Sequence, residues 1–424
     1  MSNAPEQQMF RYRLMAQINL AFTPNRPIDG RSLFAGRHQQ IEKLMSATFQ
    51  KGSHAVLFGE RGVGKTSLAR TILDFLVMAF DEASGLHRAM LNSAEAMSFE
   101  DIWRTIFRQF EFEQSDGTPA TLDEALPANP NSENIREVFQ LIDYQTIVII
   151  DEVDRIEDQS IRVKMADTIK TLSDNAIRTT LILVGVADSV DNLIGEHPSI
   201  ERAIKQVPMP RMSKPELLEI VDNGLAACDS MKIQAEARDR MADLAQGLPS
   251  YTHLLARESA LSAAREGRTN ITMQDLEAGI KESVDGQLAT SLTLYTKATT
   301  AARGIYFKPV LLACALAPKD EKGFFYAKDV VAPLKSIIPN APKIQQFAQH
   351  LKDFCESRKG PILERDGRRY RFLKPLMAPY VILRGLADGL IKEHQLSRPS
   401  ASSTVPEQLS LLSDVSAPLL EPLP

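Results

Sequence analysis

Residues 59–66, Gly-Glu-Arg-Gly-Val-Gly-Lys-Thr, match the pattern GxxxxGK[ST]. Three glycines let a backbone wrap around an anion with its N–H groups turned inward. The lysine of this pattern reaches the terminal phosphates of a nucleotide, and its threonine hydroxyl binds Mg²⁺. The segment predicts a phosphate-binding loop (P-loop) for ATP that comprises Gly59, Glu60, Arg61, Gly62, Val63, Gly64, Lys65, Thr66 and Ser67.

A second candidate set of reactive groups follows the apolar run of residues 146–150, which ends in Asp151 and Glu152. A P-loop requires a carboxylate on a neighbouring strand, so Asp151 is predicted to bind Mg²⁺ together with Thr66. Glu152 is placed to polarise the attacking water as a general base, and Lys65 is the other predicted catalytic residue of these two segments. Alternatively, the two acids are only the solvated end of a strand.

The elements that must position these groups alternate between strands and helices. Short apolar runs predict strands, and residues 67–76 carry the apolar spacing of a helix. This alternation predicts an α/β fold with a parallel sheet flanked by helices and with ligands at the carboxyl ends of its strands. Asp188 and Ser189 follow one such strand and would either sense a phosphate or cap a helix. The predicted strands are 54–58, 88–92, 146–151 and 180–186.

Together these residues resemble the AAA+ ATPases, and within them the origin-recognition/initiator branch and the related STAND switch ATPases. Residues 33–44, with Arg37, are similar to the family's segment beside the adenine, and residues 246–255, with Pro249, to its lid motif. Residues 185–202 are similar to the sensor-1 strand and the helix end that carries an arginine finger. The resemblance implies that Arg202 completes a neighbouring subunit's site, although it could equally be an ordinary surface arginine, with Arg211 as the second candidate.

Two departures from the initiator pattern affect the expected activity. The lid motif is Gly247-Leu248-Pro249 and lacks the arginine that initiators place after the glycine, which is the STAND pattern. The usual asparagine of sensor 1 is missing as well. The resemblance therefore implies slow hydrolysis.

Composition sets the remaining bounds. The 424 residues include 44% hydrophobic and 24% charged side chains with a net charge of −5, which is typical of a soluble, cytoplasmic protein of two or three domains. No membrane span or signal peptide is expected. The three cysteines are far apart and suggest neither a disulfide framework nor a zinc site. The predicted units are a lead-in (1–30), the AAA+ core (31–212), an all-α lid (213–290), a winged-helix domain (291–392) and a disordered tail (393–424), with residues 113–133 forming a long exposed loop.

The winged-helix prediction rests on helical patterns at 300–317, 327–336 and 341–357, followed by a hairpin signal at Asp366-Gly367. Residues 335–374 contain ten Lys and Arg against four Asp and Glu, a net charge of +6 within an acidic protein. This charge favours contact with double-stranded DNA, whereas docking of a protein is the alternative. The predicted DNA-binding residues are Lys343, Gln345, Gln346, Gln349 and Lys352 on the recognition helix, and Arg365, Arg368, Arg369 and Arg371 on the wing.

The sequence therefore favours an ATP-dependent and Mg²⁺-dependent switch that assembles as a homo-oligomer and docks on duplex DNA. The alternative is a STAND-like regulator that holds nucleotide and recruits an effector protein, with slow or no hydrolysis and no DNA binding. Glu152 favours the first function, and the Gly247-Leu248-Pro249 lid favours the second.

Overall fold

The computed structural model describes residues 4–28, 31–79, 86–113, 117–194, 200–228, 231–286, 289–300, 306–320, 322–356 and 361–392. The predicted disordered tail (393–424) lies outside these ranges, as do residues 195–199 of the segment that precedes Arg202.

The described strands are β1 (His54–Gly59), β2 (Leu86–Asn92), β3 (Glu111–Glu113), β4 (Pro119–Thr121), β5 (Gln145–Asp151), β6 (Thr179–Val186), β7 (Ile204–Pro208), β8 (Lys232–Ile233), β9 (Asn270–Ile271), β10 (Phe325–Tyr326), β11 (Leu363–Asp366) and β12 (Arg369–Phe372). Five of them form a parallel sheet in the order β2-β5-β6-β1-β7. The four strands predicted from sequence are all present in it, and β7 is an edge strand that the sequence did not reveal. The α/β prediction is confirmed.

The described helices are α1 (Ala4–Ala21), α2 (His38–Phe49), α3 (Lys65–Ala79), α4 (Phe99–Phe107), α5 (Ser132–Gln140), α6 (Gln159–Asp174), α7 (Asp191–Ile194), α8 (Lys214–Ala226), α9 (Ala235–Ala245), α10 (Pro249–Arg265), α11 (Met273–Asp285), α12 (Ala289–Thr299), α13 (Phe307–Leu316), α14 (Val331–Ile337), α15 (Ile344–Asp353) and α16 (Met377–Ala387). Among them, none has both the length and the apolar character needed to cross a bilayer.

Both faces of the parallel sheet are buried, because alternate residues of each strand point to opposite sides. On β5, Ile147 and Ile149 belong to one hydrophobic cluster, whereas Val148 and Ile150 belong to the other. Parallel strands end at the same edge of a sheet, so the carboxyl ends of β1, β5 and β6 meet there. This edge brings residues 59–66 and Asp151 together.

Helix α1 packs on the helices after the sheet, although residues 1–30 were predicted only as a lead-in. Its inner face buries Leu14 and Ile18 completely or nearly so, and Phe22 follows with no exposed surface. A Cβ at Gly224 of α8 would lie 2.2 Å from the Phe22 ring, so this glycine makes room for the phenylalanine. Phe22 also meets the ring of His253 on α10 edge to face, at 6.0 Å between centroids.

The C-terminal part of the chain contains the elements of the predicted winged helix. Helices α13, α14 and α15 precede the hairpin β11–β12, and β10 completes a three-stranded sheet in the order β10-β12-β11. The hairpin turns at Gly367, whose φ of +58° suits glycine. The arrangement is consistent with the predicted winged helix.

The prediction of a long exposed loop over residues 113–133 is wrong. The chain forms the hairpin β3–β4 and then a turn that buries Leu122 and Leu126 against the second hydrophobic cluster. The guanidinium of Arg104 donates hydrogen bonds to the carbonyl oxygens of Asp123, Leu126 and Pro127. The prediction failed because the segment is mostly polar in composition, whereas its two buried leucines hold it against the core.

We expect Phe107→Ala to destabilise the core by about 3–5 kcal/mol, because it empties a fully buried site. The Phe107 ring lies 4.9 Å from that of Phe139 and 5.8 Å from Trp103. Trp103 is the chain's single tryptophan, so its fluorescence during urea unfolding measures the change locally. Phe112→Ala is the matched control, since Phe112 is 45% exposed and its loss should cost under about 0.5 kcal/mol. Equal effects of the two substitutions would contradict the described packing.

Candidate functional site

Residues 59–66 form a tight loop between β1 and α3, as the sequence predicted. Gly62 and Gly64 have φ angles of +90° and +94°, which side-chain-bearing residues rarely adopt. Gly59 is needed for close approach, because a Cβ there would lie 2.5 Å from the carbonyl oxygen of Met209. The helix α3 begins at Lys65, so its N-terminus faces the loop and favours an anion.

Lys65 points back into this loop. Its Nζ donates hydrogen bonds of 2.9 Å to the carbonyl oxygens of Gly59 and Glu60. Burial lowers the pKa of Lys65 to about 8, and the nearby carboxylates of Asp154, Asp151 and Glu60 oppose that shift. The ammonium is therefore charged at neutral pH, and the acceptors it has among the described residues are backbone carbonyls. A phosphate is a stronger acceptor for this cation.

Asp151 lies at the end of β5, is 3% exposed and accepts a hydrogen bond from the Thr66 side chain. Burial raises the pKa of Asp151, while the bonds from Thr66 and from the Glu152 N–H lower it. A hydroxyl next to a buried carboxylate fits the preference of Mg²⁺ for hard oxygen ligands. No group of three or more His, Cys, Asp or Glu that could hold a metal is found in the described part of the chain. The remaining ligands of a Mg²⁺ ion here would have to be phosphate oxygens and water.

Glu152 lies at the same edge but is not free. Its backbone is left-handed (φ +57°), and its half-exposed carboxylate accepts a 2.9 Å hydrogen bond from Nη1 of Arg155. A base held by an arginine must exchange that partner for a water before it can accept a proton. The neighbouring Asp154 was not predicted; its Oδ1 accepts the Val186 N–H at 2.8 Å and so joins β5 to β6. The sequence signal that could have identified Asp154 is its position as a third acid, two residues beyond Glu152.

These groups open onto a cavity of about 750 Å³ at the edge of the sheet. Its walls include residues 23–28, which precede the core, and Pro249 and His253 of α10. The described lining residues from the predicted set are Arg37, Arg61, Gly62, Val63, Gly64, Lys65, Thr66, Ser67, Asp151, Glu152 and Pro249. Gly59 and Glu60 lie just outside it, at the base of the loop. The cavity is large enough for a nucleotide-sized ligand.

Arg37 braces the P-loop. It starts α2 in a left-handed conformation, and its guanidinium donates a 2.9 Å hydrogen bond to the carbonyl oxygen of Val63. The backbone N–H of Arg37 donates a hydrogen bond to the carboxylate of Glu216 on α8, and burial lowers the pKa of Arg37. Arg37 therefore connects the loop to the helices that follow the sheet.

Pro249 also approaches the P-loop. A Cβ on Gly64 would lie 3.7 Å from Cγ of Pro249, which is ordinary contact distance. The preceding Gly247 accepts the N–H of Met212 through its carbonyl, at 2.9 Å. The Gly247-Leu248-Pro249 segment is thus pinned to the end of the core and closes the cavity from the side of α10.

The two candidate arginine fingers differ in their surroundings. Arg202 is exposed in the turn before β7 and is not one of the described residues that line the cavity. Arg211 pairs with Glu60 of its own P-loop, where Nη2 lies 3.1 Å from Oε2 and Nε contacts Oε1. Its Nη1 donates to the carbonyl oxygen of Gln246. Arg211 therefore forms a bridge within the chain. This pairing corrects the prediction that Arg211 is the second candidate for the arginine finger.

The C-terminal part reaches the same site. Leu376 lines the cavity, and a Cβ on Gly62 would lie 3.0 Å from its Cδ2. The carbonyl oxygen of Leu376 accepts a 2.7 Å hydrogen bond from the Tyr251 hydroxyl of α10. Nothing in the sequence pattern links residue 376 to residues 59–66, so this contact could not have been predicted.

The predicted DNA-binding residues divide into two groups. Those that are exposed are Lys343, Gln345, Gln346, Gln349, Lys352, Arg365 and Arg368. Within this group, Gln346 caps the start of α15, Gln349 bonds Asp353, and Arg365 donates to the carbonyl oxygen of Gly367. Arg369 pairs with Asp366 at 2.6 Å.

Arg371 is the other predicted DNA-binding residue that is not free in this structure, because its guanidinium is held by Asp188 and Glu364. The same pairing corrects the prediction that Asp188 senses phosphate or caps a helix. The two side chains carry opposite charges, so the pair joins an acid of the core to a base of the wing.

Comparison with known proteins agrees with this geometry. Residues 48–194 match the family model of the AAA domain. None of the curated proteins matches the sequence significantly. The Walker-type ATPase PABY2304 of Pyrococcus abyssi is similar in fold, with a TM-score of 0.51 and 15% identity over 86% of this chain and 99% of that chain.

Two Aeropyrum pernix proteins also show a weaker likeness to this chain. The ORC2 protein (ADPNP-ADP complexes) has a TM-score of 0.49 and 17% identity, and covers 89% of this chain and 98% of its own. The ORC1 protein in complex with DNA has a TM-score of 0.47 and 15% identity, with coverages of 88% and 97%. The match to the AAA domain covers residues 48–194, and the P-loop and the strand that ends at Asp151 lie within that segment.

Proposed function

We propose that the chain binds ATP with Mg²⁺ in the cavity between residues 31–212, the core, and residues 213–290, the lid, and hydrolyses it slowly. The observation that carries this proposal is the buried Lys65 ammonium, whose hydrogen-bond acceptors in the described part of the chain are two loop carbonyls. Lys65 and the loop N–H groups would bind the phosphates, and Thr66 with Asp151 would hold the ion. Bound Mg²⁺ supplies neutralisation of phosphate charge. Glu152 would accept a proton from water after leaving Arg155.

Arg202 is our candidate for a group donated to a neighbouring copy's site. It is exposed and is not among the described cavity residues, as a residue that serves another subunit must be. This assignment makes the active form a homo-oligomer. An arginine added to a phosphoryl-transfer site stabilises the charge of the transition state and can raise the rate by about 10³-fold or more.

We also propose that the C-terminal domain, residues 291–392, binds duplex DNA. The local net charge of +6 over residues 335–374 supports it, as does the exposure of its basic side chains. The exposed ones among the predicted contacts are Lys343 just before α15, Lys352 on α15, and Arg365 and Arg368 on the wing. Phosphate contacts of this kind position a protein on DNA without specifying sequence.

The second candidate is a regulator that holds nucleotide with little turnover and recruits an effector protein. Two observations favour it. Glu152 is occupied by Arg155, and the C-terminal domain covers the P-loop through Leu376. The Gly247-Leu248-Pro249 lid segment without a following arginine also agrees with it.

Lys65→Ala should abolish ATP binding in isothermal titration calorimetry, because it removes the cation inside the loop and leaves phosphate charge uncompensated. The control is Lys51→Ala, which removes an exposed lysine just before β1. ATP affinity equal to that of the wild type in the Lys65 variant would exclude residues 59–66 as the phosphate site.

Glu152→Gln should leave ATP affinity unchanged and slow hydrolysis by about 10²–10⁴-fold, since an amide cannot accept the proton. Single-turnover phosphate release measures the rate. Glu157→Gln is the matched control, because Glu157 is a nearby exposed acid outside the described cavity lining. Undiminished turnover in the Glu152 variant would rule this residue out as the base.

The steady-state ATPase rate, measured with and without a mixed-sequence DNA duplex, separates the two candidate functions. We expect DNA to stimulate the rate several-fold if docking of the C-terminal domain is coupled to the P-loop through Leu376. An unchanged rate, together with no duplex binding at low salt, would instead favour the regulator that recruits a protein.

A further inference from the structure

The wing arginine Arg371 is bound by the core instead of being free for a ligand. Its Nη1 lies 2.9 Å from Oδ1 of Asp188, and its Nη2 lies 3.1 Å from Oδ2. Its Nε donates to Glu364 on the adjacent strand β11, and the guanidinium carbon lies 4.6 Å from the centroid of the Phe324 ring. The two parallel N–H···O bonds to one carboxylate are the geometry in which arginine also binds a phosphate group.

Asp188 lies two residues beyond the end of β6. The last residue of that strand, Val186, lines the cavity and is held through its N–H by Asp154, which also lines it. The nearby Arg371 lowers the pKa of Asp188, so this carboxylate is ionised at neutral pH. The carboxylate of Asp188, which holds the wing, is therefore connected to the cavity wall through the end of β6, where the N–H of Val186 is bonded to Asp154.

The contact at Asp188 is one of several that hold the C-terminal domain over the nucleotide cavity. Another is Leu376, which lies against Gly62 and is fixed by the Tyr251 hydroxyl. Residues 371 and 376 are only five apart, on the strand β12 and the start of α16. Both contacts would thus be made or lost by one movement of this domain.

The pair also changes the charge that the wing presents. Arg371 is neutralised by two carboxylates, and Arg369 pairs with Asp366 and, at 3.5 Å, with Asp320. Arg365 and Arg368 are exposed and make no ion pair with any residue that the structure describes. In this conformation only half of the wing's arginines are available to phosphates.

We propose that Asp188 and a DNA phosphate compete for the guanidinium of Arg371, so that the wing is either docked on the core or bound to DNA. This inference rests on the proposed DNA binding and adds its regulation. Both ligands are anions that accept the same pair of parallel N–H groups, so Arg371 cannot serve both at once. DNA binding would accordingly release the loop after β6 and lift Leu376 from the P-loop.

Asp188→Asn tests this competition, because it removes the carboxylate charge and keeps the shape of the side chain. We expect binding of a labelled mixed-sequence duplex, measured by fluorescence anisotropy with ATP and Mg²⁺, to become about fivefold tighter. The slope of log affinity against log salt should steepen by about one, because Arg371 then neutralises an additional phosphate.

Asp191→Asn is the matched control. It makes the same charge change three residues away at the start of α7, on an exposed side chain with no bond to the described wing. We expect this variant to bind DNA as the wild type does. In an Arg371→Gln background, Asp188→Asn should have no effect, since the cation for which the anions compete is gone.

The outcomes separate this inference from the proposed function. Equal DNA affinity and salt slope for the wild type, Asp188→Asn and Asp191→Asn would overturn the competition and leave DNA binding intact. A failure of all three to bind DNA, with nucleotide binding retained, would overturn the DNA-binding function and this inference with it. Should Asp188→Asn fail to bind nucleotide, Asp188→Ser, which also removes the carboxylate that holds Nη1 and Nη2 of Arg371, gives the same test.

Discussion

The burial of the Lys65 ammonium is the constraint on which the rest of the site depends. A charged group inside a protein requires partners, and the loop provides its own carbonyls at Gly59 and Glu60. Three carboxylates nearby, those of Asp154, Asp151 and Glu60, keep the charge favourable despite burial. The glycines, the strand ends and the cavity are arranged around this cation, which a phosphate would satisfy more fully than the carbonyls do.

The acids around Lys65 are in turn held by partners from distant parts of the chain. Glu60 is paired with Arg211, 151 positions away, and Arg211 also contacts the carbonyl oxygen of Gln246 before the Gly247-Leu248-Pro249 segment. Asp154 is fixed to β6 through Val186, and Arg37 ties the loop to Glu216. Core, lid helices and C-terminal domain therefore all contact the P-loop or its supports. A change in phosphate occupancy at Lys65 would alter the electrostatic balance of each.

The sequence predicted the site where its groups are close along the chain and failed where they are not. The P-loop, the strand ending at Asp151 and the hairpin at Gly367 are local patterns, and the structure contains each of them. The Arg371–Asp188 pair joins residues 183 positions apart, and the local pattern of the wing indicated DNA or a protein as its partner but not the core of the same chain. Leu122 and Leu126 were missed for a different reason, since two apolar residues in a polar stretch give no periodicity. The burial of two isolated leucines and the pairing of charges far apart in sequence are tertiary effects, and a local sequence pattern cannot predict them.

The packing of α1 against α8 and α10 ties the N-terminal part of the chain to the lid helices. Phe22 occupies the space that Gly224 leaves free on α8 and touches His253 on α10, and the chain then passes directly into residues 23–28 of the cavity wall. If the lid helices rotate, α1 would rotate with them because Phe22 is packed between α8 and α10. Residues 23–28, which follow Phe22, would then act as the hinge. The shape of the cavity mouth would then depend on the position of residues 23–28 as well as on that of the lid helices.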